Sequence, residues 1–266
     1  MTSRVVTDLD ATRILAAIDA ANVKFGRPLH IVEATTSTNA DAKRALIQGA
    51  QHGSTFIADS QSSGRGRGDH SWYSPPGENV YMSVAMRPTS LSSTWTALPL
   101  VVGLAVATVV ERKLNGRITV GIKWPNDVLV DNAKVAGILV EGLTSGNSTI
   151  SSLVVGIGLN VRTSCFPAEL KNRATSLALL RCKDLNRSSI IAEVLIELAR
   201  HFELFQARRL SPFLDELRRR DALQGKRIVI DPHQGIAMGL DDQGRILLER
   251  AGGDVIAIGS GEARAI

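Results

Sequence analysis

Apolar residues recur at helical spacing near the start of the chain, at Ile14, Leu15, Ile18 and Ala21 behind the capping candidates Asp10 and Thr12, which predicts one amphipathic helix. The pattern then changes to short runs of β-formers at Leu29–Glu33, Thr55–Ala58 and Val80–Met86, with a helix over Thr38–Ile47 opened by Ser37 or Thr38. Ala97–Val110 is almost wholly apolar, contains Pro99 and ends near Asn115-Gly116. A run of 14 residues is too short to cross a bilayer and reads as a buried core helix. Strand-like segments follow at Ile118–Lys123, Val128–Val130, Val135–Glu141 and Leu153–Val161, with turns at Asp131-Asn132 and Ser145–Ser148.

A second long helical stripe runs from Ser188 to Arg209 through Ile191, Val194, Leu195, Leu198, Phe202 and Phe205. Ser211-Pro212 then supplies a cap and a first-turn proline for another helix, which carries Arg218, Arg219 and Arg220. The rest of the chain switches to period two at Arg227–Ile230, Gly235–Leu240, Arg245–Leu248 and Val255–Ile258, with turns at Asp231-Pro232, Asp241–Gly244 and Ala251–Asp254. Four such strands bury enough surface only by curling into a small barrel or docking on the main body. The expected class is α+β: a mixed, mostly antiparallel sheet backed by helices over residues 1–220, and a small C-terminal all-β barrel over residues 221–266.

With 44% hydrophobic and 21% charged residues the chain can build a sizeable core, which excludes disorder and a disulfide-stapled mini-fold. A formal charge of +5 makes an anionic partner plausible without requiring one. Cys165 and Cys182 lack zinc spacing, and the five histidines are scattered, so no metal or disulfide framework is suggested and a reducing compartment follows. Met1–Asp10 has no basic start followed by an apolar run, which speaks against a secretory signal and for a soluble cytoplasmic protein with no membrane partner.

Two segments call for chemistry. In Gln61-Ser62-Ser63-Gly64-Arg65-Gly66-Arg67-Gly68 the glycines deny regular structure and two arginines put fixed cations on a loop. That suits a phosphate or carboxylate, a solvated loop, or an RGG-like patch touching nucleic acid; no P-loop frame is present. Lys123-Trp124-Pro125-Asn126-Asp127 places several polar groups at a strand end, where a plain turn and a site are both open readings. Lys134 stands at the mouth of the apolar strand Val135–Glu141, as a gatekeeper or as a cation over a site. Gly156-Ile157-Gly158-Leu159-Asn160 lacks the third glycine and the helix of a dinucleotide fingerprint, so its glycines mark close approach to something flat or tight strand packing. Serine, cysteine and zinc-protease motifs are absent from the sequence.

Taken in order, Ser37-Thr38-Asn39, Gln61 with Gly64-Arg65-Gly66-Arg67, Lys123–Asp127, Lys134–Glu141 and Gly156–Asn160 resemble the motifs of biotin–protein ligases. The similarity runs from about residue 30 to the C-terminus, and KWPND followed eleven residues on by KxAGIL is its most specific part. The resemblance implies MgATP-dependent formation of biotinyl-5'-adenylate and transfer of biotin to a lysine of a carrier protein. It implies a biotin pocket from Ser37, Thr38, Asn39, Gln61, Arg65, Gly66, Arg67, Lys134 and Gly137. Arg65, Arg67, Trp72, Lys123, Asn126 and Asn160 would meet ATP or the adenylate, with Arg67, Lys134 and Asp127 catalytic. Magnesium would come with ATP rather than from a protein motif.

Adenylation brings two anions together, which calls for cations such as Lys134 and Arg67, while Asp127 would serve the incoming amine. Two departures stand out: the family loop often reads GRGRRG where this chain has Gly68-Asp69, and Met238 replaces an arginine of some relatives. A lipoate or octanoate ligase of the same fold is the alternative. Only 36 residues precede Ser37, too few for the winged helix of ligases that double as repressors, so sequence-specific DNA is not an expected partner. A biotin carboxyl carrier domain is, and a second copy of the chain is a possible one.

Overall fold

The computed structural model describes residues 8–88, 93–116, 118–145 and 149–266. Most of the N-terminal segment Met1–Asp10 and of the turn expected at Ser145–Ser148 lies outside the described residues. In chain order the elements are α1 (Ala11–Ala20), β1 (Leu29–Thr35), α2 (Thr38–Ile47), β2 (Thr55–Gln61), β3 (Val80–Met86), α3 (Leu98–Lys113), β4 (Gly121–Lys123), β5 (Asp127–Val130), β6 (Ala133–Ser145) and β7 (Thr149–Leu159). They continue with α4 (Arg187–Arg208), α5 (Leu214–Arg219), β8 (Arg227–Ile230), β9 (His233–Leu240), β10 (Ile246–Glu249), β11 (Val255–Ile258) and β12 (Arg264–Ala265). Asp10 caps α1 by accepting from the Thr12 and Arg13 amides at 2.8 and 3.3 Å, which satisfies two of the helix's orphan donors. Asn186 does the same for α4 through the Ser189 amide at 2.9 Å.

The main sheet has the order β1-β2-β3-β7-β6-β5-β4, with β1 and β2 parallel and every other pair antiparallel. Its two faces differ in kind. One packs on α3 and α1, with α4 against both helices, and Val84, Ile138, Val155 and Ile157 join the core there. The other packs on α2, where Ala42 and Leu46 meet Ala85 and Val154. A 3-10 turn leads into α3, so the helical stretch Trp95–Lys113 has 19 residues and is long and apolar enough to cross a membrane. The length argument from sequence therefore fails, and burial decides: Leu98 and Val101 through Val110 are buried in the core except half-buried Thr108.

The C-terminal strands form a separate antiparallel sheet in the order β11-β10-β9-β8-β12. It does not close into a barrel. Its edges are β11, whose residues alternate between exposed and half-buried, and the two-residue β12, and these do not pair with each other. Docking replaces closure, because Ile228, Ile230, Ala237, Ile246 and Leu248 belong to the same continuous core as α3 and α4. Trp124 is part of that joint: it is 3% exposed and its indole N–H donates to the Gly244 carbonyl at 3.1 Å. Of the arginines at the end of α5, Arg218 and Arg219 are exposed, whereas Arg220, just past the helix, is buried against Glu111 and Glu216 and donates to the Val120 carbonyl at 2.9 Å.

Candidate functional site

The α2 face of the sheet carries the site, and strand register explains its shape. Directly opposed residues of antiparallel strands point to the same face, so the pairs build rungs. One rung is Tyr81, Gly158, Gly137 and Asp127; the next is Ser83, Gly156 and Leu139; the third is Ala85, Val154 and Glu141. Three glycines in the first two rungs leave a flat floor. Each is filled by a neighbour: a Cβ on Gly158 would lie 2.3 Å from the Trp72 ring, one on Gly137 2.9 Å from the same ring, and one on Gly156 2.1 Å from Asn39 Oδ1. The flat object anticipated beside these glycines is thus the protein's own indole.

A small cavity above this floor is lined by Ser37, Thr38, Asn39, Gln61, Arg65, Gly66, Arg67, Lys134 and Gly137, which the sequence assigned to one pocket, together with Trp72, Asn126 and Tyr81. Its volume is about 40 Å³, with the Trp72 ring lying on the glycine floor. The Trp72 Nε1–H is buried there with no hydrogen-bond partner. Ser37, Thr38 and Asn39 are buried and open α2; Ser37 occupies the cap position without a side-chain cap bond. Gln61 accepts from the Thr38 amide at 2.9 Å and donates to Ser74 at 2.9 Å, while Ser83 bonds Thr38 and Asn39 at 2.7 and 2.6 Å. Tyr81 donates to the Pro75 carbonyl at 2.9 Å, and burial pushes its phenol far above the ordinary value, so it stays protonated.

A larger cavity of about 750 Å³ adjoins the first. Lys123, Asp127 and Asn160 line it, with Phe166, Leu170 and Arg173 from the segment after β7 and Gly261-Glu262 from the C-terminal sheet. Gly66, Arg67, Trp72, Asn126 and Lys134 belong to both cavities. The two arginines and Lys134 already have partners: Arg65 faces Glu141 at 3.2 Å, Lys134 faces Asp127 at 2.5 Å with its ammonium 5.2 Å over the Trp72 ring, and Arg67 donates to the Gly261 carbonyl. His70 faces Glu262 at 3.3 Å. Burial alone would raise the Glu262 carboxyl, but the His70 ring and the charges of Lys123 and Arg264 outweigh it and hold it below the usual glutamate range.

One sequence expectation changes here. The glycine-arginine loop has regular structure after all: Arg65 bridges Ser71, Gly66 donates to His70 at 2.7 Å and Trp72 to Gly64 at 2.8 Å, so the segment folds back as a small hairpin. Asn160 lines the larger cavity, and its side-chain NH₂ donates to the Thr175 and Lys134 carbonyls at 3.0 and 3.4 Å. Asn126 likewise donates to the Ile138 carbonyl at 2.8 Å. Tyr81, Ser83 and Glu141 were missed as members of the site. The signal for Ser83 was present, since it is a hydroxyl in the middle of the otherwise apolar and fully buried strand VYMSVAM.

The model of the biotin/lipoate A/B protein ligase family matches residues 31–160. The chain is 34% identical to the biotin–[acetyl-CoA-carboxylase] ligase of Mycobacterium tuberculosis, covering 89% of this chain and 88% of that protein. It is 32% identical to the bifunctional ligase/repressor BirA of Salmonella typhimurium, covering 92% of this chain and 74% of that one. Among solved structures, the biotin protein ligase from Aquifex aeolicus in complex with biotin and ATP superposes with a TM-score of 0.77 at 29% identity, covering 89% of this chain and 98% of that one.

Proposed function

The chain belongs to the biotin/lipoate A/B protein ligase family, and from that premise we propose that it activates biotin with MgATP and transfers the biotinyl group to a lysine of a biotin carboxyl carrier domain. It is an enzyme of the biotin–protein ligase type. The observation that carries the full reaction is the wall shared by the two cavities, which holds both Arg67 and Lys134. A carboxylate in the small cavity and an α-phosphate in the large one would meet at that wall. Two cations there offset the repulsion between the anions and the charge that builds in the transition state.

In the first step a biotin carboxylate oxygen attacks the α-phosphorus; the acyl–phosphate bond forms and the bond to the β-phosphate breaks, releasing pyrophosphate. Thr38, Asn39, Gln61 and Ser83 gather hydroxyl and amide groups at the small cavity, a polar set that suits a cyclic urea better than a dithiolane and so favours biotin over lipoate. Among the described residues no three of His, Cys, Asp or Glu converge on a point, so Mg²⁺ would be carried by the nucleotide, where it neutralises phosphate charge. In the second step the carrier amine attacks the acyl carbon, AMP leaves, and Asp127 takes the amine proton or orients it.

Residues up to 220 would carry this chemistry, with residues 221–266 closing the large cavity through Gly261-Glu262. The two free thiols and the use of ATP fit the cytoplasm. Labelled biotin, MgATP and a biotin carboxyl carrier domain should give label on that domain only when ATP is present. Lipoate replacing biotin in that assay would move the assignment to the alternative ligase. The loop offers a second measurement. Arg65 and Arg67 are exposed on the hairpin, so trypsin should cut free protein after one or the other, and biotin with MgATP should slow both cuts, because a bound acyl-phosphate gives the arginines charge-assisted bonds that cover them. Unchanged rates with both ligands would rule out a lid.

A further inference from the structure

Glu141 lines neither cavity, yet it touches the floor of one and the lid over it. It sits on the rung beyond Gly156 and Leu139, four residues from Gly137 and on the same face of β6. Its side chain is 18% exposed, and its two oxygens are divided between elements. Oε2 accepts from Asn39 Nδ2 at 2.8 Å, and Oε1 faces Arg65 Nη1 at 3.2 Å. Because an ionised carboxylate can only accept, it fixes the Asn39 amide with its NH₂ toward Glu141 and its oxygen toward the Ser83 hydroxyl at 2.6 Å. Gly156 leaves Asn39 just the room it needs, since any Cβ there would collide with Oδ1.

We propose that Glu141 is a positioning residue for the ligase reaction: it sets the face that Asn39 shows to the biotin pocket and holds Arg65 at the pocket mouth before ligand arrives. The proposal rests on the biotin–ligase reading above. A half-exposed ion pair such as Arg65–Glu141 would count for little alone. The shared carboxylate changes that, because the same group that tethers the lid arginine is anchored to the buried Asn39–Ser83 pair. Release of Arg65 to a bound ligand leaves Glu141 held by Asn39, so the lid can close without disturbing the floor.

The test is biotin-dependent ATP–pyrophosphate exchange with Glu141→Gln and Glu141→Ala, scored for each substrate's KM and for kcat. Glutamine keeps an acceptor for Asn39 and loses the charge that holds Arg65; alanine loses both. The expected result is a KM for biotin raised about tenfold in Glu141→Ala and about threefold in Glu141→Gln, with kcat within about twofold and the KM for ATP unchanged. Trypsin should also cut after Arg65 faster in both free variants. In an Arg65→Ala background the Glu141→Gln change should add less than about twofold, because its partner is already gone. A normal biotin KM in Glu141→Ala overturns the proposal, as does a Glu141→Gln effect that multiplies in full with Arg65→Ala. A fall in kcat with both KM values unchanged assigns Glu141 a merely structural role and also overturns it. Wild-type protein without biotin-dependent exchange overturns the ligase reading itself, whereas an unaffected variant beside an active wild type overturns this proposal alone.

Discussion

Lys134→Ala should lower biotin-dependent ATP–pyrophosphate exchange by about 10² to 10³, the usual effect of deleting one preorganised charge at a reacting anion. In the free protein that charge is held 2.5 Å from Asp127, on the wall between the cavities. On the proposed mechanism Lys134 would exchange a carboxylate of the protein for the anions of its substrates, and Asp127 would become available as Lys134 leaves it. The two half-reactions should separate accordingly. Asp127→Asn should retain exchange, because it removes a competitor for Lys134, while slowing transfer to the carrier domain, because only the amine step needs the carboxylate. Single-turnover transfer from preformed adenylate, measured beside exchange, checks both. Near-normal exchange by Lys134→Ala would remove it from the chemistry, and equal loss of both half-reactions in Asp127→Asn would make the Lys134–Asp127 pair structural.

That pair also shows where sequence reasoning stops. The helices, the strand positions and the C-terminal switch to period two could be read directly, since each rests on local spacing; Asp10 at the α1 cap and β8 at Arg227–Ile230 are cases in point. Many residues of the small cavity lie in the short motifs that carry the family resemblance, whereas Tyr81 lies in none of them. Partnership was not legible. Trp72 on Gly137 and Gly158, Asn39 against Gly156, and Glu141 between α2 and the loop all depend on β3, β7 and β6 pairing in one register, which local patterns do not specify. Trp124 sits in the KWPND motif yet faces the core, where it anchors the C-terminal sheet, so a motif can mix site and scaffold residues. The expected barrel failed for a related reason: four of the five short strands were visible, but the docking that makes closure unnecessary lies in long-range contacts with α3 and α4.

Arg187→Met should destabilise the fold by about 3 to 5 kcal/mol at neutral pH, the range found when one partner of a buried ion pair is removed. Arg187 is fully buried and sits 2.7 Å from both Asp8 and Asp59. Around it Asp59 accepts from the Gly77 amide at 3.0 Å, and Asn79 bonds Thr163 and the Val161 amide, both at 2.8 Å. Asp59 lies two residues before Gln61 and Asn79 two before Tyr81, so this cluster fixes the strand ends from which site residues emerge. Burial by itself would raise the Asp8 carboxyl, but the Arg187 amide and guanidinium, with the Arg162 charge beside them, outweigh it and hold it below the usual aspartate value. A depressed folded-state pKa contributes stability that is present above the unfolded value of about 3.9 and is lost as pH falls through the folded one. In the methionine variant Asp8 keeps only Arg162 of its two cations, so the share of that stability owed to Arg187 is missing wherever the carboxyl is ionised. The destabilisation measured by urea unfolding should therefore be largest near pH 7 and shrink as pH falls from about 3.9 toward about 2. An equal loss at both pH values would mean that packing of the arginine stem, rather than its charge, holds these strand ends in place.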